Sequence, residues 1–435
     1  MNIALIDAYH DSDRGGAGIL AGILNILDAI ENELKIDMHI GIVYRFSKDD
    51  KRFIGIDRHT RKAFPKVIVY GSPIKTFSSN NGFQMKFSIA FSLVNSFLKL
   101  CFPSMSSDPT IRVIQDSDLV ISKGGHFYQF QSKNFLKGLI YAYQSFYNLL
   151  LSIRLKKKIS LIAHSVGPFN NSASKIIARF VFKKVNFLST RENISKDILV
   201  ELGIDDDKVH VLPDSAFALI PALDKDLECI LTNFKLKKKE YAAITARYWT
   251  FPGYDPARVS ETYEKYLNSL AEIADYLIRM KYVDKVVLVV HNDGKHNELE
   301  DDGEPIKEVL KRINQQDRVA LIDEDLSPSM QSALYGGARM MIGTRLHSVI
   351  FALVGGAPAI AISYTHKVDG IMKMLGLEKY VLNIKSMEIS QAEYLIQNLI
   401  AEEARLMEEV ASKIQKFRFE LKAALEQIIL SNLTD

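Results

Sequence analysis

Cysteine is nearly absent. Of 435 residues only Cys101 and Cys229 carry a thiol, and they lie far apart. That excludes a disulfide-stapled framework and a cysteine-based zinc site, and it suits a reducing, cytoplasmic compartment. An excess of one charge is missing too. Lys and Arg total 55 against 52 Asp and Glu, and a formal net charge of +3 is too small to argue for a nucleic-acid partner. No regular ligand spacing marks a metal site, so neither a metal nor a cofactor is expected. Long apolar runs are also lacking. The two nearest approaches are residues 87–102, interrupted by Ser88, Ser92, Asn95, Ser96 and Lys99, and residues 135–155, interrupted by Lys137, Gln144, Ser145, Asn148 and Arg154. A spanning helix needs about 20 predominantly apolar residues. Both segments are therefore expected to pack on a sheet. The competing reading is peripheral contact, in which their aromatic faces and Lys156–Lys158 touch an anionic membrane surface. The first sixteen residues, MNIALIDAYHDSDRGG, read as a strand and a turn rather than a secretion signal.

What is present is alternation. Strand-like runs fall at residues 3–8, 39–44, 67–70, 119–122, 160–164, 187–189 and 209–212, and again at 242–246, 286–291, 319–322, 340–343, 359–363 and 381–384. Helical candidates lie between them at 18–32, 176–184, 194–202, 261–280 and 304–314, with a charged helical region at 390–430. This is the pattern of a doubly wound α/β protein. The chain is too long for one ordinary core. Pro213, Pro221 and the run Lys235-Leu-Lys-Lys-Lys239 mark the boundary, giving domains 1–220 and 221–435.

Residues 339–367 read RMMIGTRLHSVIFALVGGAPAIAISYTHK: a strand, a sharp turn, a helix and a second strand. Gly355 and Gly356 can supply a left-handed helix stop, and Pro358 cannot continue a helix. Parallel sheets bind ligands beyond the carboxyl ends of their strands. That edge would carry Arg345 and His347 after one strand and His366 and Lys367 after the next. Beside a helix N-terminus these groups make an anion site. A solvated surface turn is the bland alternative.

Other strand ends carry polar residues as well. Asp13-Arg-Gly-Gly-Ala-Gly18, with Gly15 and Gly16, follows the first strand and is neither a Walker loop nor a dinucleotide fingerprint; a tight structural turn competes with a ligand loop there. Ser122-Lys-Gly-Gly-His126 offers Lys123 and the backbone of Gly124 and Gly125 to a phosphate. His164-Ser-Val-Gly-Pro168 places Ser165 at the edge, without the Gly-x-Ser-x-Gly elbow of a hydrolase nucleophile. Arg191 ends another strand, as an anion clamp or as a partner of Glu192 or Asp197. Asp214, Arg247 and His291 end three more. So many cations after strands suit a small, highly charged phosphorylated anion.

In this order the motifs resemble the polysaccharide pyruvyl transferases. The likeness covers most of the chain: the turn near Gly15, SKGGH, HSVGPF at 164–169, STRE at 189–192, LPDSAF at 212–217, VVHND at 289–293 and, most specific, the block containing Arg345 and His347. Two places depart from the family pattern: Gly15-Gly16 stands where Gly-Asp is frequent, and Gly124-Gly125-His126 where a glycine triplet is frequent. The resemblance implies two Rossmann-like domains facing across a cleft, a GT-B-like fold, with the acceptor on the N-terminal and phosphoenolpyruvate on the C-terminal domain. It implies transfer of the enolpyruvyl unit to a sugar, a pyruvate ketal and release of phosphate. The acceptor would be a surface polysaccharide or its precursor, free or lipid-linked, met in the cytoplasm or at the inner face of the membrane.

Within that reading Arg345, Arg191 and Lys367 would neutralise the donor. His347 would protonate its methylene carbon, since imidazole exchanges protons near neutral pH. Asp214 or His291 would serve as the base that closes the ketal. Two other functions stay open at this point: a nucleotide-sugar glycosyltransferase of the same architecture, and a non-catalytic member of a polysaccharide assembly pathway.

Overall fold

A computed structural model describes residues 1–74, 83–294 and 300–433, with side chains described throughout these except at 83–90. The chain forms two compact units. One comprises Met1–Asp11, Ile19–Ala218 and Phe419–Asp435; the other comprises Ser12–Gly18 and Leu219–Arg418. The main division therefore falls between Ala218 and Leu219. Two short segments, residues 12–18 and 419–435, count with the unit opposite to their place in the sequence.

The first unit starts β1 (Asn2–Ala8), α1 (Arg14–Leu34), β2 (His39–Tyr44), α2 (Arg58–Ala63) and β3 (Ile68–Tyr70). It continues with α3 (Phe83–Cys101), α4 (Pro109–Asp116), β4 (Leu119–Ser122), β5 (Gly125–Phe130) and α5 (Phe135–Arg154). It closes with β6 (Lys158–Phe169), α6 (Ser172–Lys183), β7 (Phe187–Thr190), α7 (Asn193–Glu201) and β8 (Val209–Val211). The strands pair in parallel in the order β3-β2-β1-β4-β6-β7-β8, with β5 added beside β6. Central strands such as Leu119–Ser122 are buried at every position, as a parallel sheet covered on both faces requires. Under the sheet, Phe146 of α5 stacks on Tyr128 of β5 at 4.6 Å between ring centroids, and Phe182 of α6 meets both edge-on.

In the second unit α8 (Asp224–Asn233) leads to β9 (Tyr241–Thr245), α9 (Pro256–Arg279), β10 (Lys285–Val289), α10 (Gly303–Arg312) and β11 (Val319–Ile322). Then follow α11 (Pro328–Gly337), β12 (Met340–Gly343), α12 (Leu346–Gly355), β13 (Ala359–Ser363), α13 (His366–Met374), β14 (Val381–Asn383) and α14 (Ile389–Leu433). The parallel order is β11-β10-β9-β12-β13-β14. Local signals set some of the helix ends. Asp255 caps α9 by accepting from the backbone N–H of Arg258, and Pro256 occupies its first turn. Gly356 ends α12 at φ +94°, the left-handed stop expected from the paired glycines. Both sheets carry the parallel, doubly wound order that the strand–helix alternation predicts.

The largest departure from expectation is β5. Gly124-Gly125-His126 reads as a ligand turn, yet Gly125 begins a strand in which Tyr128 and Phe130 are buried and Gln129 is exposed. Its pairing with β6 prolongs β6 from the expected 160–164 to Lys158–Phe169. Tertiary pairing overrides the glycines.

Candidate active site

The candidate residues of the second unit stand on four consecutive strands. His291 follows β10, Arg247 follows β9, Arg345 and His347 follow β12, and His366 and Lys367 follow β13. Thr245 pairs with Gly343, and Gly343 with Ala361, so these strand ends are level at the carboxyl edge. The same unit includes Gly15 and Gly16. They do not form an open ligand loop: both lie in the first turn of α1. A Cβ at Gly15 would come within 2.2 Å of Nδ1 of His347, and one at Gly18 within 2.5 Å of the Phe351 ring. These glycines let the turn lie directly against α12, with His347 beside Gly15.

Arg345 is not an open anion clamp. It sits at the N-cap position of α12 and is buried. Its guanidinium donates to both carboxylate oxygens of Asp302, closest at 2.7 Å, and to the backbone carbonyl and carboxylate of Glu300. A buried guanidinium needs a counter-charge, and Asp302, fully buried, provides it. Burial alone would lower the Arg345 pKa, but the charges of Asp302 and Glu300 together with the Asp302 hydrogen bonds outweigh it and hold the group above its ordinary value. Burial likewise pushes the Asp302 carboxyl up, with Arg345 pulling the other way.

Arg247 is placed differently. Its guanidinium lies 4.4 Å from the Tyr364 ring centroid and 5.1 Å from that of Trp249, and its Nε donates to the carbonyl of Tyr248. Among the described residues no carboxylate pairs with it. Its backbone N–H donates to Tyr266, whose hydroxyl meets that of Thr344, tying the ends of β9 and β12 together. His366 is exposed and Lys367 half-buried at the start of α13.

His291 is fully buried, with Nδ1 3.2 Å from the Tyr335 hydroxyl. Burial first, then the charges of Arg345, His347 and Arg14, drive its pKa well below 6.5. A base so surrounded is neutral, and it gains proton affinity only when an anion arrives. Arg14 itself was not singled out by sequence reasoning. It is buried, its side chain pairs with Asp325 and Asp293, and its backbone N–H donates to Asn292.

In the first unit Lys123, Gly124 and Gly125 follow β4, Arg191 follows β7 and Asp214 follows β8, on the sheet edge. Ser165 lies inside the prolonged β6 and not past its end. The structure joins three of these. Arg191 donates to Ser165 at 2.6 Å and to Asp214 at 2.5 Å, and it lies 3.5 Å from Glu192. Arg191 is thus a buried structural partner rather than an exposed clamp, and Asp214 is an ion-paired acid rather than a ready base. Lys123 is fully buried, its ammonium 5.6 Å from the Phe127 ring centroid. Asp302 and Asp325 were missed because acidic runs normally read as solvated faces, whereas Glu192, expected as a possible partner of Arg191, does lie beside it. The sign that could have marked them is the density of buried arginines needing partners.

One further group has a measurable consequence. His164 is completely buried, Nε2 3.0 Å from the Ser122 hydroxyl, and burial lowers its pKa to about 3. The unfolded chain would bind a proton there near pH 6.5 while the folded one would not. Stability is then fully present above about pH 6.5 and is lost as pH falls toward 3. At pH 5 the loss is about 2 kcal/mol from His164, and His291, whose pKa burial also lowers, contributes in the same direction in the second unit. Denaturant titrations at pH 7 and pH 5 should show both losses. His164→Gln should flatten the pH dependence of the first unit alone, and an unchanged slope would rule His164 out as its source.

Among the described residues no three His, Cys, Asp or Glu side chains group as metal ligands. A family model described as polysaccharide pyruvyl transferase matches residues 49–366. The chain is 27% identical over 391 residues to the amylovoran biosynthesis protein AmsJ of Erwinia amylovora, covering 89% of each. Its fold is similar to that of a UDP-GlcNAc 2-epimerase from Neisseria meningitidis bound to UDP-GlcNAc, with a TM-score of 0.57 at 13% identity over 99% of this chain and 100% of that one. HepE from Anabaena in complex with UDP aligns over 100% of both chains with a TM-score of 0.53 at 11% identity. Such low identities speak for the GT-B-like, two-Rossmann architecture alone.

Proposed function

The chain belongs to the polysaccharide pyruvyl transferase family, and from that premise we propose that it carries the enolpyruvyl unit of phosphoenolpyruvate to a sugar of a surface polysaccharide or its precursor. The observation that carries this reading is the level row of Arg247, His347, His366 and Lys367 on neighbouring strand ends, with Arg247 free of any carboxylate partner among the described residues. Phosphoenolpyruvate brings a carboxylate and a phosphate to that edge. Arg247, oriented by Trp249 and Tyr364, is the guanidinium available for bidentate bonding. Lys367 and the first turn of α13 add positive potential.

The chemistry balances without a metal or cofactor. His347 gives a proton to the methylene carbon, C2 becomes cationic, and a sugar hydroxyl adds there. Phosphate leaves with the C2–O bond pair, and a second hydroxyl of the same sugar closes the ketal. Of the two hydroxyl protons, one restores the histidine and the other leaves with phosphate. His291, neutral through burial, relays a proton once the anion has entered. Arg345 contributes by fixing the turn on which His347 rides, through Asp302.

The acceptor belongs to the first unit in this reading. A cavity of about 490 Å³ there is lined by Arg45, Gln129, Gln131, Ser132, Tyr141 and Gln144, amide and hydroxyl groups beside an aromatic ring that match sugar hydroxyls. Phosphoenolpyruvate is a metabolite of the cytoplasm, which is where the reaction would take place.

Incubation with phosphoenolpyruvate and candidate glycans, following phosphate release and a pyruvate-sized mass gain, tests the proposal. No turnover with any acceptor, together with no donor binding, would sink it. Arg247→Ala is expected to raise the donor KM by roughly 10- to 100-fold with kcat little changed, the worth of a charge-assisted contact. An unaltered KM would remove Arg247 from the donor site.

A further inference from the structure

Three neighbouring helices of the first unit carry more apolar surface than their core uses. Their inner sides are accounted for: Leu93 and Leu100 of α3, Phe146 and Leu149 of α5, and Val181 and Phe182 of α6 pack in one cluster. A helix on the surface of a water-soluble protein then shows a polar outer side. Here Phe91 and Phe97 of α3, Phe102 just after it, Phe135 and Leu136 of α5, and Ile176 of α6 are each more than half exposed. Apolar patches of this kind mark interaction sites.

The charge around α5 and α6 has one sign. From Leu119 to Thr190 the chain contains eleven Lys and Arg and not one Asp or Glu, within a protein whose totals are nearly balanced. Lys133, Lys137, Arg154, Lys156, Lys175 and Arg179 of that stretch are exposed on or beside α5 and α6. Long basic side chains can lay their stems on apolar surface and hold their charges at its rim.

We propose that α3, α5 and α6 form a docking face for an anionic lipid surface, with the aromatic and aliphatic side chains entering the headgroup boundary and the basic rim meeting the lipid phosphates. No described helix is long and apolar enough to cross a membrane, so the contact lies in the interface. A second copy of this chain fits the patch poorly. A two-fold interface would bring the same basic rim of α5 and α6 against itself, and like charges would oppose the contact. A bilayer rich in phosphatidylglycerol has the opposite charge and no such conflict. The docking itself does not depend on the pyruvyl-transfer reading. Access to lipid-linked acceptors would be its consequence only if that reading holds.

The test is co-sedimentation of the full chain, without donor or acceptor, with vesicles of phosphatidylcholine alone and with added phosphatidylglycerol. Anionic vesicles are expected to bind at least tenfold better, and raised salt should remove most of that gain. Phe97→Ser with Leu136→Ser should lower binding tenfold or more. Lys137→Glu with Lys156→Glu should lower it by at least the roughly fivefold per charge typical of basic residues at such surfaces. These side chains are exposed, so the variants should unfold at the wild-type temperature, which calorimetry checks. Equal binding to both vesicle types, or none, would overturn the proposal. So would a concentration-dependent dimer in light scattering that the Phe97→Ser and Leu136→Ser changes abolish, since a second copy would then own the face.

Discussion

His347→Ala is expected to lower pyruvyl transfer by about a thousandfold while phosphoenolpyruvate binding stays within a few-fold of wild type. General acid catalysis is typically worth 10²- to 10⁴-fold, and here the acid must protonate carbon, where water is a poor substitute. The side chain is held for that task from two sides. Its place in the first turn of α12 sets its direction, and the bare Cα of Gly15 leaves space for the ring. Gly15→Ala should therefore act like a partial loss of His347, because its Cβ would fall 2.2 Å from the ring nitrogen. The readout is the split between kcat and the donor dissociation constant. Wild-type kcat in His347→Ala would remove the residue as the acid. A loss confined to donor binding would make it a ligand of the phosphate instead.

Arg345→Met should cost the second unit about 3–5 kcal/mol, the penalty for stranding a buried carboxylate. Asp302 has no access to water and accepts up to three of its contacts from that one guanidinium. Adding Asp302→Leu should recover most of the loss, since two apolar groups of similar size can replace a buried pair at little net cost. Denaturant unfolding of the single and double variants measures this directly. If Arg345→Met unfolds at the wild-type midpoint and only the donor KM rises, then the pair opens in solution and Arg345 does grip the substrate.

These two expectations show what a single sequence can and cannot reveal. Position was legible. Apolar runs of four or five residues followed by Gly, Arg or His located Arg247, His291, Arg345 and His347 at strand ends, because burial on both faces leaves a strong local pattern. Pairing was not. Arg345 meets an acid 43 residues earlier, Arg191 an acid 23 residues later, and nothing in the spacing of charges distinguishes a buried carboxylate from a solvated one. The same limit hid β5. The alternation of Tyr128, Gln129 and Phe130 was visible, but the glycines before it spoke for a turn, and only β6 beside it decides the matter. The glycines of the first helix show a packing role that the spacing did not reveal: Gly15 makes room for His347 and Gly18 for Phe351.

The grouping of residues 12–18 with the second unit bears on how this protein can be taken apart. No single cut yields that unit whole. A fragment spanning residues 219–418 would leave Asp293 and Asp325 facing the place of an arginine that is encoded 279 and 311 positions earlier. Chimeras that exchange the two units between family members would need to transplant this heptapeptide along with the distant half. During synthesis these residues emerge well before Asp293, Asp325 and His347, the partners they meet, so this unit is completed only late in the growth of the chain.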